Sequence, residues 1–591
     1  MAKTDGISRR EAIRTAGLGG AAAAATTFAS SDTANAALPA KWDRTADVVV
    51  IGSGASGMLA ALAARDSGSS VIIIEANTDI GGHAICSGGH LALGGGTSRQ
   101  KQYGVADSPD LVFRDLTDWS VVEPNGAADY RFNDREIIRA FADNCAATFE
   151  FIAARGVVFV DKAPDTFGGS SVGNSMPREN HCAVMNWPTV QTGRPVAADR
   201  QATTSSGNGL MRPLEAAARR AGVEILLEHR MTALHRDASP SGRVRGVAAT
   251  FKGAHLNVRA RKAVILATGG SSGNVNFRRM FDPRLTEEYC GVAGEPWSKQ
   301  DASGELAGLA IGASLWGGAN QTGEFGASIA KPGKIACQYG YANLTWMPGS
   351  RVFDQARATG LGVSDWQNLI LVNMLGRRFY DETAGGYSSN NWNAIKAYTP
   401  NSTRNAAQTK LNPYTFLDAA LAGIGDGRNG GGPIWAIFDS EAAAREKWTL
   451  SPPNVDAGGG FFFQADTLEE LARKIVMPHQ RVPISPQALA ETVARYNGFV
   501  AAGKDEDFGK PAPSYTISKG PFYAAWATPV IHDTRVGLRI NAKSQVIDMQ
   551  GDIISGLYAG GETAGGFSMH GLARATTQGF IAGRNAHAEK G

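Results

Sequence analysis

The chain has 591 residues, which is far more than one hydrophobic core needs, so the sequence predicts at least two domains. The net charge of +3 is too small to favour a nucleic-acid partner, and the five scattered cysteines lack the spacing of a haem, iron–sulfur or zinc site. The 72 glycines indicate many close approaches of the backbone, as a large cofactor would require.

The first residues have the pattern of an export signal. The pair Arg9-Arg10 is followed by an alanine- and glycine-rich stretch and by a small-residue cleavage pattern that ends at Ala36. This pattern resembles a twin-arginine signal peptide, and its apolar run is too short for a transmembrane helix. A disordered alanine-rich tail is the alternative. We therefore expect residues 1–36 to be a cleaved signal peptide, and the mature protein to be periplasmic without stable membrane insertion.

The next segment predicts a dinucleotide-binding βαβ unit. Val48–Ile51 reads as a buried strand, Gly52–Gly57 fits GxGxxG, Met58–Arg65 has helical spacing, and Val71–Ile74 reads as a second strand. The glycines permit a tight turn and the approach of a pyrophosphate, which the helix N-terminus attracts. Glu75 follows the second strand and is predicted to accept hydrogen bonds from ribose hydroxyls.

Three glycine-rich segments favour FAD over NAD. Gly81–Thr97 lies where an NAD-binding domain would continue with a helix, and a loop there suits an extended cofactor. Arg261–Gly270 and Ile554–Gly566 each read as a strand followed by glycines, and they resemble FAD-contacting stretches of flavoproteins. The predicted cofactor-binding residues are Gly52, Ser53, Gly54, Ala55, Ser56, Gly57, Glu75, Ala76, Gly81, Gly82, His83, Ser87, Gly88, Gly89, Met231, Ala267, Thr268, Gly269, Gly561 and Glu562.

Together with "LVNMLGRRFYDE", "ETVARYNGFVAAGKDEDFG" and "GPFYAAWATPVIH", these motifs carry a family resemblance over nearly the whole mature chain. The sequence resembles the fumarate reductase/succinate dehydrogenase flavoprotein superfamily, including its urocanate-reductase-like and 3-ketosteroid-dehydrogenase-like branches. The resemblance implies an α/β fold: a discontinuous Rossmann-type FAD-binding domain, residues 37–320 and 520–591, with an inserted α+β capping domain, residues 321–519. The active site would lie in the cleft between them.

The resemblance also implies a proton donor in the capping domain. Family members move a hydride between flavin N5 and a carbon next to an activating group, while the protein moves a proton at the neighbouring carbon. In fumarate-reductase-like members an arginine does this, four residues after the glutamate of a G-x-R-F-x-x-E stretch, here Gly376 to Glu382. Gly386 takes that place, and Tyr387 follows, one residue beyond the tyrosine of ketosteroid-dehydrogenase-like members. Tyr387 is therefore the predicted acid/base; a packed tyrosine is one alternative, and Arg378 as donor is another.

Further residues match family positions that polarise the substrate. His532 falls on the histidine of a P-x-x-H-x-T stretch, and His570 and Arg574 resemble an H-G-x-x-R stretch. An arginine there would hold a carboxylate or carbonyl with two hydrogen bonds. A structural histidine at His532, and a surface or capping role for Arg574, remain alternatives. His83 lies near a position at which some relatives attach FAD, but the spacing is one residue short, so we expect non-covalent FAD.

The sequence therefore predicts an FAD-dependent oxidoreductase that acts on a carbon–carbon bond next to a carbonyl or carboxylate. The missing arginine favours a cyclic enone or an aromatic-bearing enoate. A strict carboxylate reductase and a non-enzymatic electron carrier are the alternatives. Because no second nucleotide motif and no haem motif occur, electrons are expected to pass to a separate cytochrome, a quinone or oxygen.

Overall fold

The computed structural model describes residues 38–117, 133–165, 175–185, 197–238, 241–281, 285–288, 290–317, 327–340, 346–383, 432–534, 536–567, 569 and 571–591. The predicted signal peptide, residues 1–36, lies outside these residues. Within them, no helix is long and apolar enough to cross a membrane.

The secondary structure alternates helices and strands in its first half and becomes richer in strands later. The α-helices are α1 (Ala55–Asp66), α2 (Gly82–Cys86), α3 (Ser98–Gln102), α4 (Pro109–Asp115), α5 (Arg135–Ala153), α6 (Gly207–Arg220), α7 (Val275–Arg278), α8 (Ser303–Ala310), α9 (Phe353–Ala356), α10 (Ser440–Glu446), α11 (Leu468–Lys474), α12 (Pro486–Ala502) and α13 (Leu572–Ala588). The strands are β1 (Arg44–Ile51), β2 (Val71–Ile74), β3 (His90–Ala92), β4 (Glu179–His181), β5 (Glu224–Leu226), β6 (His229–Arg236), β7 (Val244–Phe251), β8 (Ala254–Leu266), β9 (Gly291–Val292), β10 (Leu315–Trp316), β11 (Ala327–Ala330), β12 (Lys334–Ile335), β13 (Leu361–Gly362), β14 (Ile370–Val372), β15 (Trp435–Asp439), β16 (Phe462–Ala465), β17 (Phe522–Trp526), β18 (Val530–Thr534), β19 (Gly537–Leu538), β20 (Gln545–Ile547) and β21 (Ile553–Ala559). Short 3₁₀ turns occur at Ala198–Thr203, Trp366–Asn368 and Gly561–Thr563.

The main sheet has the order β20-β21-β8-β1-β2-β5, and an antiparallel β6–β7 meander joins it through β8. Strands β21, β8, β1, β2 and β5 run parallel to one another, whereas β20 pairs antiparallel with β21. Their aliphatic runs are buried, as a parallel sheet covered on both faces requires. The predicted Rossmann-type fold is confirmed.

The two ends of the described chain meet in this layer. Helix α13 packs across α1 so closely that a Cβ added at Gly579 would lie 2.1 Å from the carbonyl oxygen of Ser56. A Cβ added at Gly583 would lie 2.2 Å from the carbonyl oxygen of Ala60. Only glycine allows this contact between helices, so the last helix completes the domain that the first strand begins.

A second unit is built on the antiparallel sheet β14-β15-β17-β16. One hydrophobic core packs on each face, and α11 and α12 contribute side chains to one of them. Strand β17 follows the predicted domain boundary at residue 519, yet it pairs with β15 and β16 in this sheet. The chain passes between the two units along β11 and β18, which pair antiparallel, with β9 parallel to β18.

Candidate active site

The predicted cofactor segments converge at one edge of the main sheet. Ile51, the last residue of β1, pairs in register with Leu266 of β8, and Leu266 pairs with Ala559 of β21. The glycine-rich turns that follow these strands therefore begin side by side, at the carboxyl ends of parallel strands. This is the position at which open α/β sheets bind nucleotides.

The segment from β1 to the first turn of α1 has no room for a side chain at Gly52 or Gly57. Gly52 has a φ of +96°, and a Cβ there would lie 2.3 Å from the carbonyl oxygen of Ala267. A Cβ at Gly57 would lie 1.9 Å from the carbonyl oxygen of Gly52. Helix α1 starts at Ala55 without an acidic residue in its first turn, so its N-terminus suits a pyrophosphate.

The carboxylate of Glu75 already holds this turn in place. It accepts hydrogen bonds from the backbone amide and hydroxyl of Ser53, at 2.8 and 2.6 Å, and from the amide of Asn77 at 2.8 Å. The predicted residue Ala76 lies in the chain between Glu75 and Asn77. The buried hydroxyl of Ser56 has no hydrogen-bond partner among the described residues. A buried hydroxyl without a partner, next to glycines that leave the backbone open to a ligand, fits a bound dinucleotide.

The segment predicted to be a glycine-rich loop contains a short helix, α2, which sequence reasoning missed. Gly81 and Gly82 both have positive φ values, and Gly82 packs on Gly54 of the first turn, with a built Cβ 3.7 Å from its Cα. The hydroxyl of Ser87 donates to Ala84 at the end of α2. Two glycines then turn the chain into β3: Gly88 and Gly89.

The side chain of His83 extends from α2 toward the segment before α8. Its Nδ1 lies 3.4 Å from Nε2 of Gln300, and its ring borders Gly294, where an added Cβ would lie 3.0 Å from Cδ2. These contacts do not decide between covalent and non-covalent FAD, so non-covalent binding stays a prediction.

The turns after β8 and β21 are joined by threonine hydroxyls. The hydroxyl of Thr563 donates to the carbonyl of Gly269 at 2.9 Å and lies 3.3 Å from the hydroxyl of Thr268. The amide of Gly561 donates to Gln578 of α13 at 2.9 Å. The neighbouring Glu562 is close to the turn after β8, since a Cβ at Gly270 would lie 2.9 Å from its Oε2. The predicted residue Met231 is buried on β6.

Arg574 lies in the interior at the start of α13. Its guanidinium donates to the carbonyls of Gly561 and Ala564, and Nη1 lies 3.5 Å from the carbonyl of Thr534. Arg574 thus braces the turn after β21 against the end of β18. Arg574 is therefore buried and not on the surface, unlike in the surface alternative considered above.

Arg378 and Glu382 lie in a buried cluster of charges in the second unit. Arg378 donates twice to Glu382, at 2.9 Å each, and once to Asp505 at 3.0 Å. Lys510 reaches Glu382 at 3.2 Å. Burial alone would raise the pKa of Glu382, but attraction to Arg378 and Lys510 lowers it to about 2. For Arg378, burial opposes the charge, but the two carboxylates raise its pKa above the ordinary value. No local sequence pattern indicates that Asp505 and Lys510 belong to this cluster.

Lys331 sits beside this cluster and was not predicted. It follows β11, is buried, and its ammonium donates to the carbonyl of Glu382. The same nitrogen lies 3.4 Å from the ring centre of Trp366. Burial lowers the pKa of Lys331 to about 7, even though Glu382 and Asp381 oppose this shift. Lys331 therefore connects the strand that pairs with β18 to the stretch that precedes Tyr387.

The structure does not describe the side chains of three predicted catalytic residues. Tyr387 and His570 lie outside the described residues. The backbone of His532 belongs to β18, and its side chain is not described. Among the predicted catalytic residues, the structure therefore places Arg378 and Glu382 together and Arg574 on the cofactor side.

The family model described as "FAD binding domain" matches residues 47–579. The chain belongs to this family. The Gly52–Gly57 turn, the Thr268–Thr563 contact and the orphaned Ser56 hydroxyl all lie within the matched range.

Several characterised proteins are similar to this member of the FAD-binding-domain family. A fumarate reductase (cytochrome) of Shewanella frigidimarina is 28% identical over 544 residues, 91% of this chain and 75% of that protein. A 3-oxosteroid 1-dehydrogenase of Mycolicibacterium smegmatis is 26% identical over 594 residues, which cover 88% of this chain and 92% of that protein. The crystal structure of 3-ketosteroid Δ1-dehydrogenase from Sterolibacterium denitrificans shares the fold, with a TM-score of 0.61 and 21% identity, over 92% of this chain and all of that one. The chain is an FAD-dependent oxidoreductase of the CH–CH class.

Proposed function

We propose that this protein moves a hydride between FAD and a carbon–carbon bond next to a carbonyl or carboxylate, on a cyclic enone or an aromatic-bearing enoate. Tyr387 exchanges the proton at the neighbouring carbon. The observation that carries this assignment is the binding of Arg378 by two carboxylates. An arginine that donates to both Glu382 and Asp505 in a buried cluster is poorly placed to give its proton to a substrate.

The chain's own groups divide the work as follows. The turns after β1, β8 and β21 hold FAD, and Ser56 and Glu75 fix its dinucleotide end. FAD, when bound, accepts or supplies the hydride. The phenol of Tyr387 donates a proton in reduction, and its phenolate accepts one in dehydrogenation. His532, with His570, polarises the activating carbonyl, while Arg574 positions the turn after β21 and the end of β18.

The partners follow from the same chemistry. The substrate is a small molecule, and the electrons are exchanged with an external carrier: a cytochrome, a quinone or oxygen. We place the protein in the periplasm, because the arginine pair and the pattern ending at Ala36 resemble a twin-arginine signal. FAD is held without a covalent bond to His83.

One observation favours the carboxylate-reductase alternative. Nη1 of Arg378 is buried and has no hydrogen-bond partner among the described residues, although the rest of the guanidinium is paired. In this alternative the protein is a strict carboxylate reductase of the fumarate/urocanate reductase type, and Arg378 is the proton donor. The similarity to a fumarate reductase supports it.

An anaerobic reoxidation assay separates these two functions. The bound flavin is reduced, and enones and enoates are then compared by the return of flavin absorbance, since a strict carboxylate reductase would turn over no enone. The variant Tyr387→Phe should lose at least a hundredfold in the reoxidation rate with little change in KM, because only the transferable proton is removed. Tyr380→Phe is the matched control, since Tyr380 is buried in the core of the second unit. If Tyr387→Phe reoxidises at the wild-type rate, the phenol is not the donor.

A further inference from the structure

Glu305 occupies the first turn of α8, directly against the predicted FAD-binding turns. The amide of the preceding residue, Gly304, donates to the hydroxyl of Thr268 at 3.2 Å. A Cβ at Gly304 would lie 2.3 Å from that hydroxyl and 2.8 Å from Cγ2 of Thr563. Two residues earlier, the amide of Ala302 donates to the carbonyl of Gly270 at 3.3 Å. The start of α8 is therefore fastened to the turns after β8 and β21.

The carboxyl of Glu305 is fully buried, with 0% of the residue exposed. Neither of its oxygens has a hydrogen-bond partner among the described residues. Buried polar groups in folded proteins are almost always hydrogen-bonded, because burying one without a partner is unfavourable. Within the described part of the chain the carboxyl thus lacks a partner, at the edge where the predicted cofactor segments meet.

The surrounding charges make an ionised carboxylate at this position unfavourable. Burial raises the pKa of Glu305 well above its ordinary value; the residue's own backbone amide opposes this shift, and the negative charges of Asp301 and Glu562 add to it. Arg230 lies on β6, the strand that packs on α8, and its guanidinium is bound to Asp301 at 2.6 Å. A neutral carboxyl differs from a carboxylate in one useful respect: its O–H can donate to an anionic oxygen.

We propose that Glu305 is a further FAD-binding residue, whose protonated carboxyl donates a hydrogen bond to an oxygen of the diphosphate–ribityl chain. Three features carry the assignment: the absent protein partner, the contact of Gly304 with Thr268 and Thr563, and the neighbouring acids. The inference rests on FAD binding and is independent of the acid/base role of Tyr387.

The first test uses Glu305→Leu in the full-length protein. FAD release from the purified holoenzyme is followed by flavin fluorescence on dilution, and FAD is titrated back into the deflavinated chain. We expect the dissociation constant for FAD to rise at least tenfold. The deflavinated variant should nevertheless melt at a higher temperature than deflavinated wild type, because an unpartnered buried carboxyl has been removed. A residue with only a structural role would not give these opposite changes.

Thr148→Val is the matched control. Thr148 lies on α5, is fully buried, and its hydroxyl also lacks a partner among the described residues. This variant should stabilise the deflavinated chain without changing the affinity for FAD. If Glu305→Leu behaves like Thr148→Val, Glu305 binds at most an internal water, and the proposal is wrong.

A second variant keeps the proposal testable if Glu305→Leu does not fold. Glu305→Gln preserves a donor and an acceptor, so we expect its FAD affinity to stay within about threefold of wild type at pH 6. Wild-type affinity should fall once the pH is high enough to deprotonate Glu305, because deprotonation removes the donor and places a negative charge beside the diphosphate. The affinity of Glu305→Gln should be less sensitive to pH. Equal pH dependence of the two proteins would overturn the assignment.

Discussion

Replacing Lys331 with methionine should stabilise the folded protein, and the gain should depend on pH. Burial lowers the pKa of Lys331 from 10.5 to about 7. Because the folded pKa is below the unfolded one, the charged amine opposes folding fully below pH 7. This opposition disappears as pH rises toward 10.5.

The magnitude follows from the same shift. At about 1.36 kcal/mol per pKa unit, the penalty is roughly 5 kcal/mol at pH 6 and roughly 2 kcal/mol at pH 9. Methionine also forfeits the hydrogen bond to the carbonyl of Glu382, which contributes about 1 kcal/mol. Lys331→Met should therefore be more stable than wild type by about 4 kcal/mol at pH 6 and by about 1 kcal/mol at pH 9.

Urea denaturation with saturating FAD measures both values from the transition midpoints. Lys504→Met is the control, because Lys504 is exposed and pairs with the exposed Glu506. The stability gain of Lys331→Met should differ by about 3 kcal/mol between pH 6 and pH 9. This difference is the decisive quantity, since it arises from proton binding alone. A stability gain that is equal at pH 6 and pH 9, or a loss at pH 6, would refute the reasoning.

Three other perturbations have clear outcomes. Gly57→Ala should release most of the bound flavin on gel filtration, because its Cβ would lie 1.9 Å from the carbonyl oxygen of Gly52; Gly458→Ala, with no atom within 4 Å, should retain it. Glu382→Gln should lower the free energy of unfolding by roughly 3–5 kcal/mol in urea, because its arginine and lysine partners stay buried without their shared carboxylate; the exposed Glu506→Gln should have almost no effect. All five cysteines lie within the described residues, are buried and form no disulfide there, so a thiol reagent should modify fewer than one per chain within minutes in the native state and five after denaturation.

The dinucleotide edge could be predicted because its determinants are local. The strand expected at Val71–Ile74 has those bounds, and the helix expected at Met58–Arg65 is the middle of α1. Buried aliphatic runs and glycines at fixed offsets specify these elements within about 30 residues of chain. The helix α2 was missed because its sequence lies between glycine pairs, and its packing on Gly54 outweighs the flexibility of those glycines.

The charge cluster could not be predicted, because its partners are distant in sequence. Arg378 and Glu382 are four residues apart, but Asp505 is 127 residues from Arg378. Lys331 reaches the same place from another strand. Such a cluster depends on tertiary packing, and a single sequence shows its members only as isolated charged residues. The burial of Arg574 was likewise undecided, since a motif gives a residue type but not its depth.

The packing of α13 on α1 has a consequence for synthesis on the ribosome. The first βαβ unit leaves the ribosome hundreds of residues before Gly579 and Gly583, which fit against the backbone of Ser56 and Ala60. Until then α1 has one bare face, and the turn at Gly561 is not yet beside it. A chain released early would therefore lack a complete nucleotide edge, so loading with FAD would itself report that translation had reached the last helix.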